Sequence, residues 1–171
     1  MSSRLIFSTV FSENGVFFPI LSANQSHPSI VWTGSLATTD AILYPFIVTV
    51  PLQVTRMYHY NGGTAAGNFQ LGIYNEDLSL LVATAATAQS GTSVPQWVDV
   101  TDTTLQPGNY FMALAADNVS FTSTGSNNVV YASKMAGVFK ATTSRPLPAT
   151  ITLATTNDQQ ARDFGFEAIK V

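Results

Sequence analysis

The sequence predicts an all-β protein, an antiparallel β-sandwich of jelly-roll type with an N-terminal extended arm, and three observations lead there. Apolar and polar residues alternate with a period of two in short runs, and those runs are bounded by Gly, Pro, Asn or Asp. No long stretch carries the i, i+3, i+4 spacing of an amphipathic helix; the Ala-rich 82–88 is too short and too rich in Thr to nucleate one. About ten short strands separated by regular turn signals fit two packed antiparallel sheets better than any helical or mixed architecture.

Taken in order, strands are expected at 4–11, 15–21, 29–33 and 42–50. A boundary near residue 45 divides residues 1–45, read as N-terminal strands or an attachment arm, from the sandwich proper over 46–171. In the next segment Leu52, Val54, Arg56, Tyr58 and Tyr60 share one face of a strand, with Gln53, Thr55, Met57 and His59 on the other, and "NGG" at 61–63 closes it. "NFQLGIYNED" at 68–77 sets Phe69, Leu71 and Ile73 against Gln70, Gly72 and Tyr74, and "LSLLVAT" at 78–84 is the returning strand.

After a Gly/Ser/Thr loop, "PQWVDV" and "TDTTL" form an extended segment that Pro107-Gly108 turns into "NYFMALAA". Proline has its φ set for the second position of a type II turn, and glycine at the third tolerates the positive φ that turn requires. Further strands are expected at 128–133, 136–141, 149–154 and 163–171.

At 171 residues the chain suits one domain, large enough to bury roughly 70% of the surface its unfolded form exposes. Charged residues make up 10% of it, against about 25% in a typical soluble domain, so its surface is polar but nearly uncharged. The net charge is -3 and the seven basic residues are scattered, which leaves no electrostatic footprint for nucleic acid. Without cysteine there are no disulfides and no thiolate metal sites. The N-terminal apolar run is broken by Ser8, Thr9 and Ser12 and makes a poor signal peptide. The run 41–52 falls short of the roughly 20 residues that cross a bilayer, so no membrane segment is expected.

Chemistry-bearing residues are sparse. His27 and His59 have no partner at metal-ligand spacing, no Gly-x-Ser-x-Gly elbow occurs, and Asn75, Asp77, Asp99, Asp102 and Asp117 do not form a calcium loop. The expectation is therefore a protein that is not an enzyme, with no catalytic residue, no cofactor and no metal. Its candidate contact residues are aromatic: Trp32, Trp97, Tyr58, Tyr60 and Tyr74, which serve carbohydrate or interface contact if several share an exposed face. Read differently, Trp32 and Trp97 are core or interface anchors.

Residues 54–117 also resemble jelly-roll modules of bacteriophage structural proteins. Leu71-Gly72-Ile73-Tyr74 matches their "LGIY" strand, and Leu105, Pro107, Gly108, Tyr110 and Ala113 match a later "L-x-P-G-x-Y-x-x-A" turn and strand. The resemblance implies an accessory protein of a virion: a capsid decoration or cement, a head fibre, or a tail or fibre adhesin that binds host-surface polysaccharide. It implies other virion proteins, of capsid or tail, as partners, and production in the host bacterial cytoplasm. Virion proteins are usually symmetric oligomers, and a homo-oligomer, most simply a trimer, is expected here.

Overall fold

In a computed structural model of the chain, the described residues are 16–17, 29–31, 38–126, 139–143, 145–154 and 161–171. Among them the chain forms strands and no helix: β1 (Val16–Phe17), β2 (Ser29–Val31), β3 (Asp40–Val48), β4 (Leu52–Tyr60), β5 (Asn68–Asn75), β6 (Leu80–Ala83), β7 (Thr87–Ala88), β8 (Pro95–Leu105), β9 (Gly108–Ala116), β10 (Thr122–Ser126), β11 (Phe139–Thr142), β12 (Ala161–Arg162) and β13 (Phe164–Lys170). The antiparallel all-β architecture is as the alternation predicts.

Two sheets face each other. One has four strands in the order β1-β13-β4-β8; the other has six, β11-β3-β9-β5-β6, with β7 beside β5. A small third sheet, β12-β10-β2, stands at one end. Between the main sheets lies one core, in which Tyr44, Leu71 and Met112 of the larger sheet meet Met57, Phe164 and Phe166 of the smaller. Their inward pointing follows from period-two alternation. Strands that fall within residues 1–45 pair with this same chain: β1 with β13, β2 with β10, and β3, which runs unbroken through residue 45, with β9.

The six-stranded sheet is covered on its outer face too. Residues 145–153 cross it as a strap, and Leu147 and Ile151 pack on Leu43, Phe111 and Ala113 in a second core. Burial on both faces is why β3 and β9 read as nearly continuous apolar runs rather than alternating ones. The alanines at 113 and 115 and Gly72 leave room for the strap: a Cβ at Gly72 would stand 2.7 Å from Leu147 Cδ1. Arg145 ties the start of the strap to Asp117, whose carboxylate also accepts from Asn68 N at 2.7 Å and Asn68 Nδ2 at 2.9 Å.

Three expectations change. The segment 149–154 is no strand; it holds the sheet by isolated bridges, Ser79 to Thr150 and Ala141 to Leu153. Pro146 and Pro148 just before it lack the N–H groups that a ladder needs. In β4 the register slips at Thr55: Val54 faces Thr103 and Ala168, while Arg56 faces Asp99 and Glu167. This bulge resets the alternation, so Leu52 and Val54 point inward with Met57 and His59, leaving Arg56, Tyr58 and Tyr60 on the outer face. Finally, Gly108 has no positive φ; among the described glycines that conformation belongs to Gly67 and Gly91.

Pro107-Gly108 instead turns a corner. β8 lies in one sheet and β9 in the other, so the chain arches between layers, and Tyr110 Oη donates to Gln106 O at 2.8 Å to brace the arch. Immunoglobulin-type sandwiches use the same device, a corner tyrosine bonded to backbone a few residues upstream. A Cβ on Gly108 would meet nothing nearer than 3.6 Å, so side-chain space does not demand glycine there.

Among the described residues, β11 pairs with β3 from Asp40 to Leu43. The expected strands 4–11 and 128–133 lie outside the described residues.

Candidate functional site

The outer face of the four-stranded sheet collects most of the aromatic candidates. Tyr58 and Trp97 are register partners on β4 and β8, and their rings stand 4.9 Å apart, tilted by 49°. Arg56, two residues along β4, lays its guanidinium 4.4 Å from the Trp97 ring centroid. Its Nε and Nη2 donate to Glu167 Oε2 on β13 at 2.8 and 2.6 Å. The bulge at Thr55 makes this grouping, because without it Arg56 and Tyr58 would share a face with the inward Val54.

Tyr58 is 2% exposed, and burial, with a smaller contribution from the Asp163 carboxylate, holds its phenol well above its ordinary value. It is therefore neutral and acts as packing. Trp97 and Tyr60 are half-buried, and the guanidinium on the Trp97 ring contributes roughly 0.5–1 kcal/mol of cation–π attraction at such a site. What this face offers a partner is an indole edge, the outer side of Arg56, and the carboxylates of Glu167 and of Asp99, which lies opposite Arg56 in register. Tyr74 does not join it. That side chain is fully buried beneath the strap on the other sheet, and its hydroxyl donates to Pro148 O at 3.0 Å. Trp32 lies outside the described residues.

A second cluster, polar and buried, lies where β4 ends against the small sheet. The His59 ring packs on Phe69 and Phe121, with centroids 5.1 and 4.7 Å away. Asn61 Nδ2 donates to Ser90 O and Gln96 Oε1, so Asn61 Oδ1 is the acceptor that faces His59 Nδ1 at 3.1 Å and Gln89 Nε2 at 3.1 Å. That assigns the proton of the neutral imidazole to Nδ1. His59 Nε2 is buried and has no hydrogen-bond partner among the described residues. Burial pushes the imidazole down to about 3; the Asn61 bond opposes this and the Arg162 charge adds to it.

Arg162, 1% exposed, donates from Nη1 to Ser123 Oγ at 2.7 Å. Its backbone is clasped by the Tyr44 hydroxyl, which accepts from Arg162 N and donates to Arg162 O at 3.0 Å. Burial lowers the guanidinium to about 10, which leaves it charged at neutral pH. Sequence reasoning treats His59 as a strand-face histidine and misses its neighbours, because Asn61, Gln89, Ser123 and Arg162 share no spacing; the one local signal is the Asn-Gly turn after β4.

Among the described residues no group of three or more His, Cys, Asp or Glu side chains is placed to hold a metal ion. Comparison of the chain with protein-family models, with curated proteins and with solved structures finds no match.

Proposed function

We propose that the protein is a non-enzymatic accessory component of a bacteriophage virion, a capsid decoration or cement or a head-fibre protein. It holds the particle through its terminal segments, and works as a homo-oligomer, a trimer. One observation carries this reading. The two halves of the phage-module likeness, about thirty residues apart in the chain, are hydrogen-bonded neighbours in the fold: Gly72 faces Ala113, Ile73 faces Met112 and Tyr74 faces Phe111 across β5 and β9. They thus belong to one structural unit, which favours a likeness to a folded module over a coincidence of turn grammar.

The finer fold assignment, a jelly roll, belongs to the same proposal. It is supported by the strand orders β1-β13-β4-β8 and β3-β9-β5-β6, in which the chain changes sheet at every step among these eight strands except β5 to β6. Two interlocked Greek keys have this pattern.

The test is to purify virions, identify the protein in them by mass spectrometry, and add purified protein to particles that lack it. Saturable binding of a trimer supports the reading; absence from the particle, or a monomer that ignores it, overturns it. A second reading, an adhesin for host-surface polysaccharide, is favoured by the half-buried Trp97 beside Arg56, Glu167 and Asp99. A glycan array decides it: binding that is lost in a folded Trp97→Ala variant supports it, and an array with no hits removes it.

A further inference from the structure

We propose that His59 is an acid-operated latch, whose protonation releases the small sheet β2-β10-β12 from the sandwich while the two main sheets stay paired. The inference rests on the geometry of the seam and does not depend on the virion reading.

Most layer contacts in this protein are apolar, but the small sheet is held by polar bonds. Gly62 N donates to Thr122 O at 3.1 Å, Thr124 Oγ1 to Asn61 O at 3.0 Å, and Asp163 N to Thr124 O at 2.8 Å. Gln89 Nε2 reaches Thr122 O as well. Beneath these bonds lies the imidazole, covered by Phe121, the residue that leads into β10. A ring that takes up a proton at Nε2 finds no acceptor there among the described residues and must reach water. The way out is past Phe121, so the strand that moves is β10, with its partners β2 and β12.

The surroundings set the direction. β5 presents Phe69, the chain before β10 presents Phe121, and the register partners on β8 and β13 are Gln96 and Phe164, all uncharged. From β12 the charged Arg162 opposes a second positive charge on His59, and the Asp163 carboxylate beside it raises the phenols of Tyr44 and Tyr58. On β4 itself Arg56, Tyr58 and Tyr60 face the other side of the sheet. The imidazole is lowered in the closed form, so its contribution to closure is complete above about pH 6.5 and is lost as pH falls toward 3.

Amide hydrogen exchange, corrected for intrinsic rates, tests this on the whole chain. Protection of Phe121–Ser126 is expected to fall about tenfold per pH unit below about pH 6, while Ala41–Val48 and Tyr110–Ala116 keep theirs. His59→Phe and His59→Gln remove the pH dependence and His27→Asn retains it. Constant β10 protection in the wild type from pH 7 to 4.5, or a pH dependence that survives in either His59 variant, overturns the latch. If neither variant folds, imidazole NMR of the wild type decides: a His59 ring that titrates near 6.5 with β10 still protected overturns it, and a ring that ionises only with β10 opening supports it.

Discussion

On the outer face of the six-stranded sheet, Phe111 and Tyr74 are wholly buried under residues 145–153, whereas on the outer face of the four-stranded sheet Trp97 stays half-buried with Arg56 drawn over it. The residues around each ring explain the difference. Beside Phe111 stand Ala113, Ala115 and Gly72, small enough for a chain segment to settle directly on the strands. Beside Trp97 stand Arg56, Glu167 and Asp99, which need water or one another. Among the described residues, one outer face is closed by a segment of the chain, and the other carries charged side chains around a half-buried indole.

Truncation separates the two faces most sharply. Phe111→Ala should destabilise the fold by about 3–5 kcal/mol, the range for emptying a well-packed aromatic site, as read by chemical denaturation; a loss under about 1 kcal/mol would show that the strap is not a second core. Trp97→Ala should be milder, roughly 1–2 kcal/mol, because water already reaches the ring and what it loses among the described residues is the Tyr58 and Arg56 contacts.

Gly72→Ala sits between these in kind. The new Cβ would meet Leu147 Cδ1 and lie 3.3 Å from Val82 O, and overpacking of that sort costs about 1–3 kcal/mol. In a Leu147→Ala background the same change should cost measurably less, and a cycle with no coupling would mean that the strap does not press on β5. The smallest effect is expected from Arg56→Ala, below about 1 kcal/mol and weakening with salt, since its ion pair is only partly buried. A larger, salt-independent loss would mark that face as buried in an assembly.

Much of this is legible in the sequence. β4, β5, β8, β9 and β13 follow from period-two runs and their turn residues, and the resemblance joins two of them. The bulge at Thr55 is not, because nothing about a threonine signals that it stands unopposed. β10 is hidden as well: "TSTGS" has no apolar alternation to read, since its hydroxyls serve the seam and not a core. As for the candidate site, the Tyr58–Trp97 pairing needed that bulge and the register, and His59, Asn61, Gln89 and Arg162 meet only through long-range packing. Alternation reports which way a side chain points, and polar clusters built across a hundred residues leave no such trace.

Pro45 gives β3 a property of its own. Buried within the strand, opposite Phe111 of β9, it carries no backbone N–H. A residue without an N–H donates nothing to a strand ladder, and proline is one of the ways proteins keep strands from adding to one another. A polar residue substituted at 45 would have to be housed in a buried site, at a cost of roughly 1–3 kcal/mol.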